Sequence, residues 1–200
     1  PITGNVRVTV ELQLPSRVVL DFGGAAAVVQ GVTDGRGQVP FATIHDHVVI
    51  DAASTVSGRN AFTVTFSAGE DAVHWRDGFL YTLFVPAKAH TLFPCFDQPD
   101  LKARVTLTLD VPAGWAALAN GTPLGEEGHA GEAGRSVLRF SETPPISTYL
   151  VAWAAGELTS ADVHAGRWSV RVFHRCGDVG RLARNLPEIA GLHACALEWL

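Results

Sequence analysis

Alternation of apolar and polar residues, repeated from one end of this 200-residue chain almost to the other, limits what it can become. Val6, Val8, Val10, Leu12 and Leu14 alternate with their neighbours, and Phe62, Val64 and Phe66 do the same. A third series sets Ala103, Val105, Leu107, Leu109 and Val111 against Arg104, Thr106, Thr108 and Asp110. Successive side chains of a strand point to opposite faces, so a period of two predicts half-buried antiparallel strands. Shorter apolar runs at 17–22, 26–32, 39–44 and 47–50 fit further strands. Between them stand turn sequences, Asp34-Gly35-Arg36-Gly37 and Gly58-Arg59-Asn60, where glycine allows the positive φ of a tight turn. Short strands at such spacing predict a β-sandwich or a large curved antiparallel sheet.

The pattern continues past the middle of the chain. Pro112-Ala113-Gly114-Trp115 reads as a turn, and Asn120-Gly121 as a hairpin signal. Residues 125–134, rich in Gly, Glu and Ala, read as a solvated hairpin tip. Residues 137–140 return as a strand, and Thr143-Pro144-Pro145-Ile146-Ser147-Thr148 interrupts the sheet before the apolar run 149–155. Trp168, Val170 and Val172 make a last alternating strand. From Asp178 the period changes to that of a helix, with Leu182, Leu186, Ile189, His193, Leu197 and Leu200 on one stripe. Asp178 is the expected N-cap, and Pro187 is expected to kink the helix or to begin its second half. The change of period places a domain boundary near Ala165, dividing the chain into 1–165 and 166–200. The apolar helix stripe is expected to lie open, so that the chain self-associates through it or folds the helix back onto the sheet.

Composition excludes several functions. Hydrophobic residues make up 47% and charged residues 18%, enough for a packed core. A net charge of −5, with no basic cluster, argues against a nucleic-acid partner. The longest apolar run is too short to span a bilayer. No signal peptide is visible and no methionine occurs, so the chain reads as a piece of a longer protein whose compartment, cytoplasmic or exported, is left open. The three cysteines, Cys95, Cys176 and Cys195, are odd in number and widely spaced, which does not make a disulfide framework.

A search for chemistry finds little. His45-Asp46-His47 is the densest histidine cluster, but residues at i and i+2 of a strand bring no third ligand, and a surface strand end is expected there. His193 and Glu198 lack the i, i+4 spacing of a helical zinc pair, and His74, His90, His129, His164 and His174 are isolated. No H-E-x-x-H, no G-x-S-x-G and no phosphate loop occurs. Cys95, between Pro94 and Phe96, is expected to be a buried, inert thiol. The acidic tip Glu126, Glu127 and Glu132 is expected to be solvated. The loop Thr91-Leu92-Phe93-Pro94-Cys95-Phe96-Asp97-Gln98-Pro99-Asp100 is the most distinctive stretch; its two prolines predict a rigid loop with Phe93, Phe96 and Leu101 buried.

Three segments carry a resemblance to a known family. They are Phe79-Leu80-Tyr81-Thr82 running into Phe93–Ala103, then Val111-Pro112-Ala113-Gly114-Trp115 with Ala119-Asn120-Gly121, then the stretch from Phe140 through Pro144-Pro145 to Leu150. In this order and spacing they resemble the N-terminal domain of the aminopeptidase N family of zinc peptidases. The resemblance implies a curved, saddle-like antiparallel β-domain over 1–165, then the opening strand and helix of a thermolysin-like catalytic domain over 166–200. It implies no cofactor within these residues, and a zinc held beyond Leu200. It implies two partners, the catalytic domain of the same chain and a peptide substrate. The family uses a Gln or Glu before this loop to contact the substrate's α-amine; those positions fall on Leu83 and Val85. The resemblance thus implies a non-catalytic wall of the cleft of a zinc-dependent aminopeptidase. Leu83 and Val85, unable to bind an ammonium, keep open a scaffold or binding β-domain of a non-peptidase relative. An unrelated β-sandwich interaction module is the third reading.

Overall fold

The computed structural model describes residues 1–127 and 134–199. His129, Glu132 and Leu200 lie outside these described residues. The alternating segments pair as antiparallel strands. β1 (Ile2–Leu12), β6 (Gly58–Ala68) and β3 (Val28–Thr33) form one sheet with β6 in the centre. The β1–β6 register places Val6 opposite Val64 and Val8 opposite Phe62. β2 (Val18–Asp21), β5 (His47–Ile50) and β4 (Phe41–Ile44) form a second sheet. Leu20, Val48 and Ile50 from this sheet share one core with Phe62, Val64 and Phe66 of the first. Phe22 meets Phe66 edge to face, with ring centroids 5.4 Å apart.

A four-stranded sheet runs β10 (Ala116–Ala119), β13 (Trp153–Gly156), β8 (Phe79–Thr82), β7 (Val73–Arg76), and joins the same core through Leu80 and Phe84. A three-stranded sheet of β11 (Pro123–Glu127), β12 (Arg135–Phe140) and β9 (Leu107–Pro112) packs its Val111 and Phe140 with Ala117 of β10 and Ala155 of β13 in a smaller core. The chain is mainly β, as its alternation predicts, with one long helix at the C-terminal end.

Local readings need correction at several points. The alternating stretch from Ala103 joins a sheet only at Leu107. Before that, Ala103 bridges Ile146, and the Val105 amide donates to the Thr143 hydroxyl, so the proline-rich segment serves as its partner. Asn120-Gly121 does not close a hairpin; it carries the chain from the sheet of β10 to the sheet of β11. The Asn120 side chain receives the Ala152 amide and donates to the Leu150 carbonyl, taking the place of backbone at the crossing. At Gly121 a Cβ would stand 2.1 Å from the Ser141 carbonyl oxygen, so only glycine fits. Gly58-Arg59-Asn60 opens β6 rather than forming a separate turn; Asn60, buried, binds both backbone groups of Val56 and closes the turn before the strand.

The two-residue turn His45-Asp46 has positive φ at both residues, 45° and 63°, the handedness that suits the twist of β4 and β5. β14 (Leu158–Ala165) and β15 (Trp168–Arg175) form a hairpin whose register runs from Leu158 opposite Arg175 to Ala165 opposite Trp168. α1 (Val179–Trp199) packs on this hairpin and continues through Pro187. Leu182, Leu186 and Ile189 are half-buried on its packed side, with Ala190 and Ala194 buried between them. The first half of the stripe therefore folds back onto strands, whereas its His193 and Leu197 are exposed, as are Leu192 and Trp199. The Asp178 carboxylate accepts from Arg175 Nε at 2.9 Å.

Two substitutions test this packing. Phe84 is 1% exposed and meets Phe93 edge to face at 5.7 Å, so Phe84→Ala should cost about 3–5 kcal/mol in a denaturant titration. Gly121→Ala should cost about 1–3 kcal/mol in the same measurement, because the new methyl group meets fixed backbone rather than a side chain that can turn away.

Candidate functional site

The loop after Phe93 is held by carboxylates. Pro94 is fully buried and Cys95 nearly so, while Asp21 and Cys95 exchange backbone hydrogen bonds of 2.7 and 3.1 Å. Beyond Cys95 the backbone turns and needs other acceptors. Asp21 supplies them: its Oδ2 accepts from the Asp97 amide and from Gln98 Nε2, each at 2.8 Å. His47 Nε2 lies 3.2 Å from the other oxygen of Asp21. The Asp97 side chain is 5% exposed and is enclosed by donors: the His90 amide at 3.2 Å, His90 Nδ1 at 2.7 Å and the Thr148 hydroxyl at 2.7 Å. Ser147 completes the closure by donating its hydroxyl to the Pro99 carbonyl.

Burial alone would raise the Asp97 carboxyl, but the hydrogen bonds from His90 and Thr148 outweigh it and hold the group below the usual carboxylate range. Burial pushes the Cys95 thiol far up, and Asp97 and Asp21 push it further, so it stays protonated and is no nucleophile. The loop is fixed, as its two prolines predict, but by polar contacts more than by its aromatic residues. Phe93 and Phe96 are only half-buried, and Leu101 is exposed at 48%. The buried apolar residues are their neighbours Leu92, Pro94 and Cys95, because the tight path of the loop turns that side of the chain inward.

Leu83 and Val85 lie just upstream. The Leu83 amide donates to the Ala72 carbonyl, which extends the pairing of β7 and β8 by one residue. Alternation persists: Leu80, Thr82 and Phe84 are buried, while Leu83 and Val85 point outward at 49% and 53% exposure. They present an apolar surface with no charge of their own. Thr82 donates its hydroxyl to the Trp153 carbonyl and accepts the Trp153 amide, which ties this segment to β13. His90, isolated in sequence, is the ring that fixes Asp97, and His47 pairs with Asp21; neither pairing follows from spacing along the chain. Among the described residues no three of the His, Cys, Asp and Glu side chains come together as a metal would require.

The three motif segments thus converge in space: Asp97 on Thr148, Pro99 on Ser147, Ala103 on Ile146 and Asn120 on Leu150 and Ala152. Comparison with known proteins agrees with that geometry. A family model for the Peptidase M1 N-terminal domain matches residues 75–150. This segment is similar to an M1 peptidase N-terminal domain. Aminopeptidase M1 of Arabidopsis thaliana is 38% identical over 52% of the chain and 12% of the relative. Probable M1 family aminopeptidase 2 of Encephalitozoon cuniculi is 35% identical over 48% of the chain and 13% of the relative. Aminopeptidase Q of Mus musculus is 28% identical over 88% of the chain and 37% of the relative. The crystal structure of the M1 zinc metallopeptidase from Deinococcus radiodurans shares the fold, with a TM-score of 0.70 at 24% identity over 88% of this chain and 43% of that one. The chain spans less than half the length of each of these relatives.

The carboxylate cluster around Asp97 has a testable pH signature. Because the folded pKa of Asp97 is depressed, its contribution to stability is full above the ordinary value of 3.8 and is lost as pH falls through the lower folded value. Asp97→Ala should cost about 2–3 kcal/mol near pH 7. The gap between the two proteins in chemical denaturation should then close as the buffer is taken well below the ordinary carboxylate range.

Proposed function

We propose that this chain serves a zinc-dependent aminopeptidase, one that removes N-terminal residues from peptides, as the non-catalytic N-terminal domain walling one side of the substrate cleft. The match of residues 75–150 to the M1 N-terminal domain, with all three motif segments meeting at one place, carries the reading. The zinc and the group that activates water would be held beyond Leu200. A metal-activated water at that site would do the hydrolysis, and the residues described here would position and enclose the substrate. Leu83 and Val85, outward-facing and apolar, would form the wall where the family places its amine-binding side chains. The division of the chain at about Ala165, into 1–165 and 166–200, belongs to the same proposal; the pairing of β14 with β15 makes that division a turn within one hairpin. The catalytic domain would be the partner in the same chain, with the exposed Leu192 and Trp199 of α1 as surface for it or for a second copy. None of the described helices is long and apolar enough to cross a membrane.

The apolar character of Leu83 and Val85 also favours a second reading, a scaffold or binding β-domain in a relative without peptidase activity. An H-E-x-x-H sequence downstream of Leu200 would decide against it. Where activity is present, Val85→Glu places a carboxylate beside the α-amine. A charge-assisted contact is worth about 1.5–3 kcal/mol, so KM for substrates with a free amine should change about tenfold or more. Amine-blocked substrates should respond little. Identical responses from free and blocked substrates would remove Val85 from the amine position.

A further inference from the structure

Three arginines meet at a depression far in sequence from the loop just described. Its lining includes Arg7, Arg36 and Arg59, together with Asp34, Ser54 and Ala61. The β1–β6 register explains the arrangement. Arg7 stands opposite Thr63, Thr9 opposite Ala61 and Glu11 opposite Arg59, so these side chains share the outer face of the sheet. Ala61 lies two residues along β6 from Arg59, and its single methyl group leaves a low floor. β3 stops pairing with β6 at Thr63, so no strand of that sheet flanks residues 58–62 on the β3 side. Arg36 enters from the turn that follows β3.

Charge at this place is unbalanced. Asp34 is engaged by Arg36, which donates to it through Nε at 2.9 Å. Arg7 and Arg59 have no ion pair among the described residues, although Glu11 faces Arg59 across the strands. With Arg36 set against Asp34, two guanidinium charges remain over one concavity, on a chain whose net charge is −5. Guanidinium groups bind phosphate and carboxylate oxygens through pairs of parallel N–H donors, and two such forks suit an anion of charge two.

We propose that the depression between Arg7, Arg36 and Arg59 is a binding site for a small dianion of the phosphate or dicarboxylate class. The site is independent of the aminopeptidase reading, since it uses neither Leu83 nor Val85. The test is an amide NMR titration of the chain at pH 7 with inorganic phosphate, with succinate, and with chloride at matched ionic strength. Saturable shifts at Ala61 and Thr63 with phosphate or succinate, absent with chloride, are expected; the tighter of the two identifies a phosphoryl or a carboxylate ligand. Arg7→Gln and Arg59→Gln should each weaken binding at least about tenfold. Ala61→Leu should abolish it by filling the floor while leaving every arginine in place. Arg36→Gln, in the turn, gives a reading that leaves the strands untouched and should weaken binding as well. Linear shifts equal to those with chloride would overturn the proposal. So would saturation that survives the arginine substitutions with affinity unchanged.

Discussion

Everything near the motif loop depends on the Asp97 carboxylate being buried and still charged. A carboxylate taken out of water is costly unless its oxygens are satisfied, and here a ring, a hydroxyl and an amide reach it at once. Those donors come from two segments, His90 on the short turn after Lys88 and Thr148 just past the proline pair. Satisfying one side chain therefore fixes where two stretches of chain run. Asp21 does the same for the backbone beyond Cys95 and brings β2 into the assembly. The outward presentation of Leu83 and Val85 follows, because the segment carrying them is pinned between Thr82, bonded to Trp153 of β13, and the loop held at Asp97.

Strand alternation was the most legible property. Val6 to Leu12 and Phe62 to Phe66 lie in β1 and β6 with the faces that their pattern predicts. Half-buried strands record their environment in every second residue, so the outline of the β-domain can be read directly. The rigid loop was also legible from its prolines, although the side chains that bury there are the neighbours of those expected. Asn120-Gly121 shows where local reading ends. The dipeptide is a turn signal by propensity, but here the Asn side chain binds the backbone just before β13 and the Gly makes room for a carbonyl. That use depends on Leu150, Ala152 and Ser141, which no local window contains.

The motif loop was legible in the sequence; the polar contacts that hold it were not. Residues 91–103 stand out in sequence, yet the pairing of His90 with Asp97 and of His47 with Asp21 appears only once the chain has folded. The helix divides in the same way. Its stripe of Leu182, Leu186 and Ile189 was readable from its period, but only the fold shows that the hairpin of β14 and β15 takes that stripe. The arginine depression left no sequence signature, because its members come from three elements and its floor is an alanine.

The contacts that close the motif loop also set an order of events during folding. Asp21 must find Asp97 across 76 residues, and Asp97 must find Thr148 across a further 51. Contacts so distant in sequence come late and slow a β-domain, since the intervening chain must be confined before they form. On the ribosome, Asp97 would leave the exit tunnel well before Thr148, and its carboxylate would wait in solvent with only part of its donor set. A growing chain stopped anywhere between them would hold paired strands around an unlatched centre, with Phe84 and Phe93 left uncovered and open to wrong partners.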